Sequence, residues 1–264
     1  EAARIGHQLV NQLGVAKGDR VAIAMRNYPE WMSAYIAITC IGAVVVPLNS
    51  WGQAKELEYA INDAAAKVVF CDHQRYAMVA DWLLQQGITA VIARPEGTEP
   101  QTGSYTLLEF IAGTEGAAMP EVTLDPEDLV MILYTSGTTG VPKGAVSTHR
   151  ALCQAITNFE VAGFASAMIN PETIDAMMQS GFEPTQMLAV PLFHVSGLHA
   201  VFLTAFKGGR KVVMMYKWNA EQALELIERE CITICSSAPA MLLQLLESPD
   251  FDKRDTSSLF SVGA

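Results

Sequence analysis

The sequence predicts an α/β chain built on a mostly parallel sheet that helices cover on both faces. Two observations carry this expectation. Short runs such as Gly18–Met25, Val44–Leu48 and Lys67–Asp72 are apolar almost throughout rather than at alternate positions, the pattern of strands buried on both faces. Helical patterns separate these runs one by one, and strand–helix–strand alternation gives parallel neighbours through crossovers.

Taken in order, EAARIGHQLVNQL at the start is an amphipathic helix with apolar Ile5, Leu9, Val10 and Leu13. A strand over Gly18–Met25 leads to a helix from Pro29 to Ile41, a strand Val44–Leu48 and a helix Gln53–Ala64. Lys67–Asp72 is the next strand, followed by a helix Arg75–Gln86 and a strand near Ile88–Ala93. Arg94–Gly103, rich in Pro, Gly and Thr, reads as a surface loop. Thr148 is a plausible N-cap for a helix through Val161. Gly163–Pro184 is a weakly periodic connector. Its Met168, Met177 and Met178 suit either a surface helix or the lining of an apolar ligand site.

The rhythm then resumes. Met187–Pro191 is a strand, Gly197–Phe206 a helix and Arg210–Met215 a strand. Asn219 with Gln222 makes a capping-box-like start for the helix Ala220–Glu230. Ile232–Ser236 and Ala238–Glu247 are the last strand and helix.

Composition limits the function. The 264 residues are half apolar and only 17% charged, enough for one large domain or two modest ones. A formal charge of −11 argues against an extended nucleic-acid surface, which needs a basic face. The five cysteines have no CxxC pair and no metal-ligand rhythm. They read as reduced and structural, in keeping with a cytoplasmic protein. No signal peptide pattern opens the chain. Trp31–Ala54 carries no charge and is long enough to suggest a membrane helix, but Gly42, Pro47 and Asn49 split it into a helix end and a buried strand. No transmembrane segment is therefore expected.

The chemistry concentrates in LVMILYTSGTTGVPKGAVSTHRAL, Leu129–Leu152. It is not a Walker A loop, because Lys143 lies between Pro142 and Gly144 and a strand-like Ala145–Thr148 follows. The loop thus joins strand to strand. No GxGxxG and no GxSxG occurs, which removes the main support for dinucleotide binding and for a serine hydrolase. The residues nevertheless suit polyphosphate. Gly137 and Gly140 let backbone N–H groups converge on an anion, Thr135, Ser136, Thr138 and Thr139 offer hydroxyls, and Lys143 adds a mobile cation. The same composition also suits a plain hairpin turn.

YTSGTTGVPKG, Tyr134–Gly144, closely resembles the signature loop of the adenylate-forming superfamily of acyl-CoA synthetases, luciferases and peptide-synthetase adenylation domains. LGVAKGDRVAI, CIGAVVVPLN, PLFHVSGL and APAMLLQLL follow in the family's order, so the resemblance covers nearly the whole chain. It implies the large N-terminal domain of that fold, with two mostly parallel sheets flanked by helices, truncated before the C-terminal domain. The expected divisions are a first subdomain at 1–165 carrying the loop, a variable connector at 166–184 and an incomplete second subdomain at 185–264. The N-terminal helix is left as a candidate to pack on the second. The family's later motifs for adenine, ribose, Mg²⁺ and a C-terminal lysine do not occur in this sequence, and the chain alone is expected to be inactive.

The resemblance implies ATP-dependent activation of a carboxylic acid, a fatty acid in the first instance, to an acyl-adenylate and then an acyl-CoA. ATP, Mg²⁺ and coenzyme A are the implied cofactors, with no nucleic-acid partner. The location implied is cytoplasmic, with peripheral membrane association left open. Thr135, Ser136, Gly137, Thr138, Thr139, Gly140 and Lys143 would bind the ATP phosphates. No metal ligand is assigned within the chain. In amino-acid-activating relatives an aspartate follows the phenylalanine of the second motif, whereas here Phe193 is followed by His194. A neutral imidazole offers no comparable partner for an ammonium group, so an α-amino acid is disfavoured and His194 becomes the candidate catalytic residue. His199 reads as structural. The alternatives are an aryl-acid–CoA ligase, an amino-acid adenylation domain and a non-enzymatic nucleotide-binding module.

Overall fold

The computed structural model describes residues 1–135 and 142–263, and its contacts divide the chain into two units, Glu1–Leu152 and Cys153–Ala264. In the first unit the strands are β1 (Arg20–Ala24), β2 (Val44–Pro47), β3 (Val68–Asp72), β4 (Thr89–Ala93), β5 (Tyr105–Thr106), β6 (Leu129–Thr135) and β7 (Lys143–Thr148). They form one sheet in the order β5-β4-β3-β1-β2-β6-β7. Every pairing is parallel except β6 with β7. The helices are α1 (Ala2–Asn11), α2 (Pro29–Cys40), α3 (Ala54–Asp63), α4 (His73–Gln86) and α5 (Leu107–Phe110).

The apolar runs behave as expected for strands covered on both sides. Ala22, Val46, Val69, Cys71 and Ile92 pack with Leu57 and Ile61 of α3 and with Tyr76, Val79 and Leu83 of α4. Residues of opposite parity face the other way, and Phe70 meets Phe110 of α5 edge-on at 6.2 Å. The charge-free Trp31–Ala54 run is helix α2 and strand β2, both largely buried. α1 belongs to the first unit, where Arg4 donates to the Ile111 carbonyl at 2.6 Å and pairs with Glu115. Short β5 and α5 have no counterpart among the expected elements. Their signal is a local capping box, Thr106 with Glu109, too brief to show as periodicity.

Three strand ends meet at one buried ion pair. The Asp72 carboxylate caps α4 by accepting from the Arg75 backbone N–H at 3.0 Å, and it accepts from the Arg26 N–H at 3.1 Å. Arg75 Nη1 donates to both carboxylate oxygens at 2.9 Å, while its Nε donates to the Ser50 carbonyl at 2.8 Å. The segments following β1, β2 and β3 are thereby tied together, with the charge of each partner balanced out of water.

α6 (His149–Ile169) starts in the first unit and continues into the second. Thr148 caps it as expected, its Oγ1 accepting from the Ala151 N–H at 3.2 Å. The helix runs past Val161, so the expected connector is largely helical: α6 continues to Ile169 and α7 spans Pro171–Ser180, with no buried residue in α7. The second unit then holds β8 (Thr185–Leu188), α8 (Val195–Gly197), α9 (Thr204–Lys207), β9 (Lys211–Met214), α10 (Ala220–Glu230), β10 (Ile234–Ser236), α11 (Pro239–Glu247) and β11 (Ser261–Gly263). Its four strands are all parallel, in the order β11-β10-β8-β9. Met187 and Cys235 pack with Ala223, Leu224 and Ile227 of α10. Among the described residues, α6 is the one helix long and apolar enough to cross a membrane, and Leu152 is its one buried residue.

Asp72→Ala leaves the Arg75 guanidinium buried without its counter-charge. We expect a loss of about 3–5 kcal/mol in unfolding free energy, measured by urea denaturation. A loss below ~1 kcal/mol would show that the pair does not hold the strand ends.

Candidate functional site

In the first unit the site is a hairpin stem. β6 and β7 pair antiparallel, with Tyr134 opposite Gly144 and Thr135 opposite Lys143. The loop therefore does join strand to strand, and Thr135 and Lys143 stand side by side at its mouth, both exposed. Thr135 Oγ1 reaches the Lys143 carbonyl oxygen only at 3.5 Å, so its hydroxyl is weakly engaged. Ser136, Gly137, Thr138, Thr139 and Gly140 lie outside the described residues. Gly144 has a steric reason: a Cβ there would lie 2.7 Å from Ile132 Cγ2 and 3.4 Å from Tyr134 Cζ. The Ile132 side chain takes the space that a Cβ would need, while the Tyr134 ring lies at ordinary van der Waals distance.

In the second unit the chain leaves β8 and turns at Pro191, whose carbonyl accepts from the His194 N–H at 3.2 Å. His194 then caps α8. The Ser196 backbone N–H points at Nδ1 from 3.3 Å, and Ser196 Oγ lies 3.0 Å from the same nitrogen. With a backbone donor on Nδ1, the neutral ring carries its proton on Nε2, and the exposed imidazole presents an N–H donor. Gly197 fixes this turn, because a Cβ would fall 2.2 Å from the Pro191 carbonyl oxygen. Beyond it Leu198–Leu203 is π-helical, a local irregularity common beside functional sites.

Next to His194 a cavity of about 320 Å³ is lined by Phe159, Val190, Ser196, Ala200, Ser236 and Ser237, among others. Apolar walls with a few hydroxyls suit an organic ligand bearing one polar end. The sequence reading missed Phe159, Ser236 and Ser237. The detectable signal was Phe159 on an apolar helix, while the serines carry none. His199 is buried as a structural residue would be, but its Nε2 has no hydrogen-bond partner, and burial holds its pKa below the ordinary histidine value. Cys71 and Cys235 are buried with thiols pushed up by desolvation, as inert core cysteines are. Cys40 and Cys153 are free and exposed.

The family model for AMP-binding enzymes matches residues 1–264. The chain belongs to the AMP-binding enzyme family. A 4-coumarate–CoA ligase 1 of Solanum tuberosum is 28% identical over 253 residues, covering 96% of this chain and 44% of that protein. A structure of a putative long-chain-fatty-acid CoA ligase from Rhodopseudomonas palustris superposes with a TM-score of 0.76 at 25% identity, covering 100% of this chain and 61% of that one. ATP-bound MatB from Rhodopseudomonas palustris matches with a TM-score of 0.76 at 26% identity, over 99% and 47% of the two chains. This AMP-binding chain thus has the fold of the N-terminal part of adenylate-forming enzymes and spans less than half the length of that curated relative.

Two outcomes test this geometry. Gly197→Ala should destabilise the protein by about 1–3 kcal/mol through forced displacement of the Pro191 turn, read as a lowered melting temperature. His199, neutral when buried, gains a proton on unfolding at pH values below its ordinary pKa of about 6.5. Stability should therefore fall as pH drops through about 6.5 towards the lower folded value, because the unfolded state binds more protons there. His149, also held low by burial with Asp128 opposing, adds to the slope. His199→Gln should flatten the slope in unfolding titrations between about pH 7.5 and 5.5 without abolishing it.

Proposed function

We propose that the chain supplies the phosphate-binding and acid-binding parts of an AMP-forming acid–CoA ligase. The observation carrying this reading is the YTSGTTGVPKG segment, set between antiparallel strands in a chain matched over its full length by the AMP-binding family. In the first step a carboxylate oxygen attacks the α-phosphorus of ATP, the bond to the β-phosphate oxygen breaks, and pyrophosphate leaves. In the second, the thiol sulfur of coenzyme A attacks the acyl carbonyl, loses its proton and expels AMP. Thr135, Ser136, Gly137, Thr138, Thr139, Gly140 and Lys143 hold the β- and γ-phosphates, where fixed donors stabilise charge passing to the leaving group. His194 offers its Nε2–H to the reacting carboxylate or α-phosphate oxygen.

Among the described residues, no cluster of three His, Cys, Asp or Glu side chains is placed to hold a metal ion. A fatty acid is the first choice of substrate for the largely apolar cavity. An aryl acid is the second reading, favoured by the 4-coumarate–CoA ligase relative. The 264-residue chain by itself is proposed to be inactive, and its free cysteines support a cytoplasmic location.

The test is pyrophosphate release by a protein of the relatives' full length, given ATP and a panel of fatty, aryl and amino acids, with and without coenzyme A. Release should require a fatty or aryl acid, and thioester should form only with coenzyme A. Lys143→Ala and His194→Ala should each lower kcat/KM by about 10²-fold, as expected for one lost transition-state donor. Release driven by amino acids without coenzyme A dependence would overturn the ligase reading, and no release with any acid would overturn enzymatic function.

A further inference from the structure

One face of α3 touches both stems of the loop. The Tyr134 hydroxyl donates to Asp63 Oδ2 at 2.6 Å, and the Tyr59 hydroxyl donates to the Pro142 carbonyl at 3.3 Å. Tyr59 and Asp63 stand one helical turn apart on α3, so both side chains leave the helix on the same side. Their targets precede the two described candidates for phosphate contact, since Tyr134 is followed by Thr135 and Pro142 by Lys143.

The helix itself is anchored. A capping box between Gln53 and Glu56 fixes its start, and Leu57, Ala60 and Ile61 are buried. Between helix and stems lies a cavity of about 160 Å³ lined by Leu48, Asn49, Leu57, Ala60, Thr135 and Pro142, among others. Side-chain packing does not fill this gap; Ile132 and Tyr134 pack on the core that includes α3, and the two hydroxyl contacts add directed links between the helix and the ends of the stems. The bond to a carboxylate is the stronger of them. Burial first, then Asp63, pushes the Tyr134 pKa up, which keeps the hydroxyl protonated and donating.

We propose that α3 is a two-point clamp on the phosphate loop, with Tyr59, Asp63 and Tyr134 as positioning residues that set the spacing and direction of Thr135 and Lys143. The proposal rests on the reading of this loop as the nucleotide-phosphate site. An exposed hydroxyl–carboxylate bond contributes little to global stability. If the contacts only braced the hairpin, their loss would be nearly silent or would lower stability without changing ATP handling. If they position the loop, their loss weakens ATP and leaves the acid alone.

The test compares Tyr134→Phe, Tyr59→Phe, Asp63→Ala and the conservative Asp63→Asn in the full-length protein. Asp63→Ala and Tyr134→Phe should raise KM for ATP by about 3- to 10-fold, the worth of one hydrogen bond, with KM for the acid and the melting temperature unchanged. Tyr59→Phe should do less, and Asp63→Asn, which still accepts from the hydroxyl, should recover most of the effect. Hydrogen exchange of the β6–β7 amides without nucleotide gives a second readout, and these should exchange faster in Asp63→Ala and Tyr134→Phe. Unchanged exchange and unchanged KM, or a lowered melting temperature with both substrates weakened equally, would overturn the clamp. Wild-type protein that neither binds ATP nor releases pyrophosphate would overturn the functional reading, while faster exchange in the variants would leave the mechanical link between α3 and the stems standing.

Discussion

The antiparallel pairing of β6 with β7 is the constraint on which the rest of the site depends. Every other strand neighbour in the first unit is parallel, and β6 itself runs parallel to β2 before reversing into β7. A parallel strand returns through a long crossover, whereas an antiparallel one returns within a few residues. That reversal sets Thr135 and Lys143 opposite each other and leaves their side chains at the sheet edge, in water. Helix N-termini, the usual anion sites beside parallel strands, take no part in this stem. Among the described residues, the polar groups at the mouth of this stem are the Thr135 hydroxyl and the Lys143 ammonium.

The second unit is built on the same alternation but covers less of its apolar surface. Phe164 is 73% exposed, Met168 84%, Ile169 78% and Leu246 62%, whereas Trp31 and Tyr35 anchor the first unit at 1% or below, although Trp51 there is 59% exposed. A parallel sheet needs cover on both faces, and apolar patches of this kind mark surfaces built to meet something. The cavity beside His194 opens within this unit, so its walls include side chains, such as Phe159 at 45% exposure, that are only partly held by their own surroundings.

Most of the fold was legible because parallel strands announce themselves as continuous apolar runs. β1, β2, β3 and β4 fall within a residue or two of the expected bounds, and helix α10 matches them at both ends through its Asn219 cap. What escaped was short or without pattern. β5 has two residues and β11 three, too few for any periodicity to register. The extent of α6 was underestimated because its residues after Val161 are apolar all round, and only the backbone shows that they continue one helix. At the site, residue identity pointed to Lys143 and His194. Their surroundings were unreadable, because Asp63, which accepts from Tyr134, and Ser237, which lines the cavity near His194, belong to common residue types and meet these neighbours only across the fold.

Both candidate functional side chains are exposed, yet each leaves a backbone position that its neighbours hold. His194 is oriented by a backbone N–H on Nδ1 and by a glycine that lets α8 sit against the Pro191 carbonyl. Lys143 leaves a strand paired in register with β6, Thr135 opposite it and Tyr134 opposite Gly144. Fixed donors lower a barrier only if little reorganisation remains when charge develops. In both places glycine leaves room for a neighbour, the Pro191 carbonyl at Gly197 and the Ile132 side chain at Gly144. A bulkier residue at either position would leave the functional group chemically intact but aimed elsewhere. If His194 acts as proposed, losing Gly197 would keep its imidazole and lose its aim, because no side chain fits beside the Pro191 carbonyl.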